Sequence, residues 1–543
     1  MLNFKVEIKH RSIIMISLLI SIIPIAFLIW MMTKKNAVPS HIALPLTAFM
    51  VALIQFFHFD TDMITISAYS VSGMLSATTP ISIVAGAILL NRLLYYTGSE
   101  RTIKVWLESI SRNEVAQLMI IGWAFAFMIE GASGFGTPAA IAAPILVGLG
   151  FSPIKVVLFT LTMNSVPVSF GAVGTPTWFG FSNLGLSEED IIQTAQFSAL
   201  IHLVSAFIIP LIALKFVVPW EKIKSNYKFI LASTLSCTIP YYHIAQWNYE
   251  FPALIGGAIG LLITIFIAKK ELGLEKQSDT SSKISNSNLV SNFEILKAIS
   301  PTLLLIFILI ITRVKQFGIK QLLLDDTSML NLSLGLIGDL SISQAFIIKV
   351  SNILGTSASW SYKLLYVPAL IPFVLVVVIS IFIFNISSTS LRRICSDTTD
   401  RIKYPFIALV GALIMVKLMM LGGSKSPIMT IGTAFSEFTG ENWQYLASYL
   451  GALGAFFSGS ATVSNLTFGG IQQSIAINVG LEESKVLALQ SVGGAMGNMI
   501  CINNIIAVST ILGISRQEGY ILKRTIIPMT IYGLVAALMS YFI

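Results

Sequence analysis

F-M-I-E-G-A-S-G-F-G-T-P, residues 127–138, decides how this chain is read. It ends an apolar run and interrupts what would otherwise be a continuous helix with glycines, hydroxyls and a proline. A second stretch, F-F-S-G-S-A-T-V-S-N at 456–465, does the same in the other half. Glycine and proline release backbone N–H and C=O groups from the helical ladder. Inside a bilayer such groups survive only where protein buries them or water reaches them. Paired interruptions, one per half, point to the binding site of a transporter.

Working outward, the 543 residues are 55% hydrophobic and 11% charged. A soluble domain carries about 25% charged residues, so the composition describes an integral membrane protein. Apolar runs recur from 12–32 to 525–543, among them 115–129, 137–151, 154–173, 443–457 and 485–511. At roughly 20 residues per crossing they predict an all-α membrane fold of about 12–14 transmembrane helices. The first run is too long for a signal peptide and lacks a small-x-small cleavage site, so it is read as a retained helix. Cys237, Cys395 and Cys501 are too scattered for a disulfide framework or metal cluster. The net charge of +8 fits Lys and Arg crowding cytoplasmic loops better than nucleic-acid binding.

One polar linker divides the chain. It starts K-K-E-L-G-L-E-K-Q-S at 269 and is rich in Ser, Lys and Asn. The predicted organisation is an N-terminal membrane repeat at 1–268, a cytoplasmic linker at 269–297 and a C-terminal membrane repeat at 298–543. Basic residues also place the loops around Arg92–Arg112 and Arg392–Lys403 in the cytoplasm, which leaves 314–362 outside. The halves superpose weakly. A shift of 328 lays Glu130-Gly131 on Ser458-Gly459, and a shift of 326 lays Asn164-Ser165-Val166 on Gln490-Ser491-Val492. This is the pattern of two inverted repeats with paired re-entrant or broken helices.

Glu130 is the leading functional candidate. A carboxylate at that depth is costly and marks function by default. A low-dielectric setting favours its protonated form, which suits proton coupling; the alternative is a cap on backbone donors freed at the break. Gly131, Ser133, Gly134, Gly136, Thr137 and Pro138 follow. A helix restarting at Pro138 would aim its N-terminal N–H groups at the break, a setting that binds anions. Small-residue helix packing is the competing explanation. The second half offers Ser458, Gly459, Ser460, Thr462, Ser464 and Asn465. The helices after each break add Asn164, Ser165 and Thr175, then Gln490, Ser491 and Asn498. Together these are the candidate substrate-binding residues. Lys417, deep in an apolar run, either snorkels to an interface or attracts an anion. His58-Phe59-Asp60-Thr61-Asp62 reads as a wet loop rather than a metal site. Gly256-Gly-Ala-Ile-Gly260 reads as helix packing. No P-loop, nucleophile elbow or redox Cys pair is present, so neither ATP drive nor covalent catalysis is expected.

Through these stretches the chain resembles the bacterial L-lactate permease family. The likeness runs through G-A-I-L-L-N-R-L-L-Y-Y-T-G (86–98), F-M-I-E-G-A-S-G-F-G-T-P-A-A-I (127–141), L-V-G-L-G-F-S-P (146–153), N-S-V-P-V-S-F-G-A-V-G-T-P (164–176) and L-G-A-L-G-A-F-F-S-G-S-A-T-V-S-N (450–465). The resemblance implies inward transport of 2-hydroxymonocarboxylates, chiefly lactate and glycolate, with protons. It also implies paired re-entrant hairpins and an elevator-like motion. Two departures stand out. Ala461 replaces an acidic residue of the family's Gly-Ser-Asp-Thr, and Asn498 replaces a basic residue of its Gly-Gly-Val-Thr-Gly-Lys-Met. Losing both preserves the charge balance, as expected of a pair lost together.

The expected function is therefore a secondary-active carboxylate uptake permease in the bacterial inner membrane, not an enzyme. Its partners would be a small carboxylate and the lipid bilayer, with no nucleic acid and with room for a homodimer. No cofactor is expected. The coupling ion would be H⁺, with Na⁺ and another organic anion as the alternative, and a passive anion channel as a third reading.

Overall fold

The computed structural model describes residues 2–34, 38–134, 137–275, 291–313, 317–367, 369–514 and 517–543. Gly136 and most of the 269–297 linker lie outside them, as does the side chain of Thr137. Among the described residues nine helices are long and apolar enough to cross a membrane, or up to eleven when each of two bent pairs counts once. That is fewer than the 12–14 expected, because several apolar runs are not full crossings. Thr137–Gly148 has 12 residues, roughly 18 Å at 1.5 Å per residue, well short of a hydrocarbon core of about 30 Å.

Each half contains a helical hairpin broken at its tip, followed by a span interrupted by a 3₁₀ turn. The first hairpin has the arm Glu114–Ser133 and the return arm Thr137–Gly148. Its span runs from Pro153–Met163 through a 3₁₀ turn at Val168–Phe170 to Gly171–Trp178, bent by 63°. The second hairpin has the arms Trp443–Ser458 and Ala461–Val479. Its span runs from Glu483–Gly497 through a 3₁₀ turn at Asn498–Ile500 to Ile502–Ile511. The recurrence of this order is clear, but the letter matches do not mark equivalent places. Asn164 caps the end of its helix, whereas Gln490 lies inside Glu483–Gly497. The elements themselves keep another spacing: Pro153 and Glu483, like Val168 and Asn498, stand 330 residues apart.

The hairpins are interior. The arm Glu114–Ser133, which includes a π-helical stretch at Leu118–Phe125, has 89% of its apolar window buried, against 28% for Asn292–Thr312. Asn113 caps its start by accepting hydrogen bonds from Val115 N and Ala116 N at 2.9 and 3.2 Å. Glycines let the arm approach the helix Pro252–Lys269. A side chain on Gly131 would strike the backbone of Ala253 and Leu254, and one on Gly257 would strike that of Phe127 and Met128. Gly256 and Gly260 face Cys237 and Tyr241 of the next helix in the same way. The glycine-rich stretch 256–260 is thus a packing surface on both sides. At the surface, Asp62 caps Met63–Ser76 by accepting from Thr65 N at 2.9 Å.

Within the segment expected outside the membrane stands a feature to which the sequence reading assigns no secondary structure. β1 (Ser328–Ser333), β2 (Asp339–Ser343), β3 (Ile347–Ser351) and β4 (Trp360–Lys363) form an antiparallel meander in the order 1-2-3-4. Ser341 pairs with Lys349 and Lys349 with Ser361, so one face is serine and lysine. The other face carries Leu340, Val350 and Trp360 in register.

Replacing Gly257 with Val should overpack the arm against Pro252–Lys269 and cost about 1–3 kcal/mol. The check is thermal unfolding in detergent, where the variant should melt below the parent.

Candidate functional site

The two hairpin tips meet the two span breaks in the middle of the molecule. At the first tip Gly134 has φ 59° and ψ −154° and donates from its N–H to Glu130 O at 2.9 Å. A methyl group there would lie 3.1 Å from Ala172 N, so tip and span break touch. At the second tip Gly459 is left-handed (φ 72°). A methyl group there would lie 3.2 Å from Cys501 Sγ, in the second span's break. Ser460 then caps Ala461–Val479, accepting from Val463 N at 3.3 Å.

The first span break is a left-handed turn of three residues, Ala172 (φ 45°), Val173 (φ 58°) and Gly174 (φ 70°). A β-branched residue in that region is strained, and such strain persists only where the surroundings hold it. Here Trp178 Nε1 donates to Val173 O at 3.0 Å, and Gly174 sits against the backbone of Tyr249 and Glu250.

All four broken segments line one small cavity of about 20 Å³: Glu130 and Gly134, Val168, Gly171, Ala172 and Pro176, Gly459, Ser460, Ala461 and Thr462, and Asn498. Glu130 is the only ionisable residue among them. Asn164 Nδ2 donates to Glu130 Oε2 at 3.0 Å, and a side chain on Gly171 would collide with Oε1. The Thr462 side chain is buried and has no hydrogen-bond partner among the described residues. Asn164 Oδ1 is buried and likewise unpartnered.

Of the residues expected to bind substrate, Glu130, Gly134, Gly459, Ser460, Thr462 and Asn498 line this cavity, and Asn164 stands one hydrogen bond behind it. Others hold the framework. Asn465 Nδ2 donates to Pro176 O at 2.9 Å, tying the second hairpin to the first span. Gln490 Nε2 donates to Ser464 Oγ at 3.0 Å and Asn465 Oδ1 at 3.3 Å. Gln490 Oε1 accepts from Gln472 Nε2 at 2.9 Å. Ser491 Oγ donates to Ser169 Oγ at 3.0 Å. Ser133, Ser165, Thr175 and Ser458 are turned onto nearby carbonyls, namely Ile129 O, Thr162 O, Ala172 O and Gly454 O. Gly131 is a packing glycine. Sequence reasoning missed Ala172 and the buried His202, which bonds Ser169 Oγ at 2.7 Å and the Tyr532 hydroxyl. Its only signal was a lone histidine in an apolar helix.

Two larger cavities flank the small one. One, of about 620 Å³, is lined by Arg92, Arg401, Asn164, Asn498 and Asn504. The other, of about 610 Å³, lies against the sheet, with Ser341, Lys349 and Ser361 of its polar face and Val350 and Trp360 of its apolar face in the lining, and includes Thr79, Trp178, Glu250 and Lys417. They occupy opposite ends of the same helices. Thr78–Tyr96 carries Thr79 at one and Arg92 at the other; Ser388–Met419 carries Arg401 at one and Lys417 at the other. Arg401 and Lys417 are roughly 24 Å apart at 1.5 Å per residue.

The model of the family described as L-lactate permease matches residues 17–543. The chain belongs to the L-lactate permease family. It is a multi-pass bacterial membrane transporter, not an enzyme. A Haemophilus influenzae protein, provisionally named an L-lactate permease, is 54% identical over 97% of this chain and 99% of its own length. The glycolate permease GlcA of Escherichia coli is 24% identical over 97% and 96%. Among solved structures, MtrF of Neisseria gonorrhoeae, described with a class of antimetabolite efflux pumps, aligns over 94% of this chain and 96% of its own. The TM-score is 0.46 and the identity 13%. Ala461 and Asn498, both singled out in the sequence for lacking a charge, line the small cavity.

Replacing Asn465 with Leu should leave the Pro176 carbonyl without its donor, a loss of about 1–3 kcal/mol. Hydrogen exchange should quicken in peptides covering 168–178 and stay unchanged in 252–269.

Proposed function

We propose that the permease carries small 2-hydroxymonocarboxylates, L-lactate and glycolate, together with protons, and that Glu130 is the group that couples them. The lactate and glycolate class is supported by the family and by the glycolate permease among its relatives. The proton role is supported by one observation: Glu130 is the only ionisable residue lining the cavity where the four broken segments meet.

The coupling follows from charge. Two unit charges 4 Å apart at an effective dielectric of about 20 interact by about 4 kcal/mol. A substrate carboxylate beside an ionised Glu130 meets that repulsion, and beside a protonated one it does not. No lysine or arginine lines the cavity to offset it. The site therefore loads anion and proton together or neither. The Thr462 hydroxyl and the N–H groups opening Ala461–Val479 donate to the carboxylate, at the positive end of a 19-residue helix. Asn164 holds the far oxygen of Glu130. A cavity of about 20 Å³ has room for little more than a water, so loading requires the hairpin tips to part from the span breaks. The two large cavities serve as the two access routes, the arginine-lined one cytoplasmic and the sheet-lined one external.

A sodium-coupled reading rests on a different observation. Asn164 Oδ1 is a buried oxygen without a partner beside Glu130, and two such oxygens are a start toward a hard-cation site. Replacing sodium by choline leaves uptake intact under the proton reading and abolishes it under this one.

Two outcomes test the proposal. In vesicles with an alkaline interior, the parent should concentrate labelled L-lactate while Glu130→Gln should only equilibrate it. Accumulation by the variant at the parental rate would remove Glu130 from coupling. Ala461→Asp alone should depress uptake at least about tenfold by adding an unpaired carboxylate to the cavity. Adding Asn498→Lys to it should restore much of the loss.

A further inference from the structure

The sheet-lined cavity contains charge that the central site does not use. At about 610 Å³ it falls in the range of small-molecule sites. Lys349, Lys363 and Lys417 line it, against a single carboxylate, Glu250. The Glu250 Oε1 atom accepts from the Tyr366 hydroxyl at 2.7 Å. Lys349 pairs with Asp326. Lys417 has no ion-pair or hydrogen-bond partner among the described residues, although it is half-buried in the last turn of the helix Ser388–Met419. A cation withdrawn from water without a counter-charge is costly, and a bound anion would offset that cost. Two further donors on residues lining this cavity, Asn183 Nδ2 and Trp360 Nε1, are buried without an acceptor. The serines of the sheet's polar face, Ser341, Ser359 and Ser361, add hydroxyls. An excess of donors and positive charge around an open cleft of this size is complementary to a small anion.

We infer that this cavity is a second carboxylate-binding site, separate from the central one, where Lys417 captures the substrate anion under the β-sheet before it reaches the hairpin tips. The substrate class rests on the proposed function; the site itself rests on the cavity and its unpaired donors. Lys417 supplies the charge, Lys363 and the sheet serines the rim, and Trp360 the apolar wall. The polar face of the meander is what gives the cavity its selectivity for anions, and this accounts for a sheet in an otherwise helical protein. Lys417 thereby serves as an anion-capturing residue rather than an interface anchor.

The test uses the full-length protein in nanodiscs, with tryptophan fluorescence titrated by sodium L-lactate and by sodium acetate at constant ionic strength, alongside uptake kinetics. The chain has eight tryptophans, of which Trp178 and Trp360 line this cavity, so Trp360→Phe identifies the part of the signal that arises at the sheet. The parent and Glu130→Gln should both give a saturable response that Trp360→Phe reduces. Lys417→Gln should abolish that response and raise KM for uptake about tenfold, ~1.4 kcal/mol, with little change in the maximal rate. Lys417→Arg should restore both, and Lys425→Gln should leave both at parental values. A Lys417→Gln protein with parental KM and response overturns the proposal, as does a response lost in Glu130→Gln or matched by inorganic phosphate. If uptake of 2-hydroxy acids is absent while the Lys417-dependent acetate response persists, the second site stands and the transport substrate is what fails.

Discussion

A helix that stops inside a bilayer leaves backbone groups that water cannot satisfy, and the core of this permease is organised around that constraint. Four helices stop there. Their ends are satisfied by one another and by amides placed for the purpose. Ser460 caps the restarting arm of the second hairpin, Trp178 holds the left-handed turn at Val173, and Asn465 reaches across the halves to the Pro176 carbonyl. Gly180 makes that last contact possible, because a side chain there would strike Pro176 O and Asn465 Cβ. The network is buried and nearly complete, which is what gives a polar cluster a single geometry rather than several. The cavity exists because the satisfied ends face each other.

The same constraint governs charge. With Ala461 and Asn498 neutral, the described lining of the cavity has one titratable group. A buried ion pair contributes little net stability, while half of one is costly, so a neutral pair of positions here costs the fold nothing. What remains is a simpler electrostatic site, at which the proposed function has the protonation of Glu130 set the occupancy by an anion. The positive charge that the cavity lacks is displaced outward, to Arg92 and Arg401 at one end and to the lysines at the other.

Much of this was legible in the sequence, and the parts that were not have physical reasons. Both hairpin breaks are legible because Gly, Ser and Thr crowd together there beside Glu130 or Asn465, a concentration that helix packing alone does not require. The candidate residues at the tips themselves, Glu130, Gly134, Gly459, Ser460 and Thr462, line the cavity. Further along the helices the reading over-collected. Ser133, Ser165 and Thr175 carry the same chemistry as Thr462 but bond to carbonyls one turn away, as hydroxyls in apolar helices commonly do. Residue type does not distinguish the two. Gly131 was ambiguous between site and packing, and only the backbone of Leu254 beside it decides. The sheet is absent from the sequence reading although L-S-I-S at 340–343 and W-S-Y-K at 360–363 alternate with period two, because strands of four to six residues are weak signals beside long apolar runs. The span count ran high because apolarity does not reveal that an arm turns back halfway.

The closed cavity is not placed evenly between its two neighbours. Asn498 belongs to both the small cavity and the arginine-lined one, and Asn164, bonded to Glu130, faces the latter as well. On the sheet side no residue is shared. Pro176 lines the centre and Trp178 the outer cavity, and between them stands the turn clamped by the indole, by Tyr249 and by Glu250. The barrier toward the arginines is thus a layer of amide side chains, and the barrier toward the sheet is strained backbone held by packing. Side chains change rotamer easily, whereas a clamped left-handed turn moves only as part of a rigid unit. Opening toward the arginine end needs local adjustment at the asparagines and the second tip. Opening toward the sheet needs the hairpins and their spans to shift together against the helices that frame both cavities, which is why those two helices reach from one to the other.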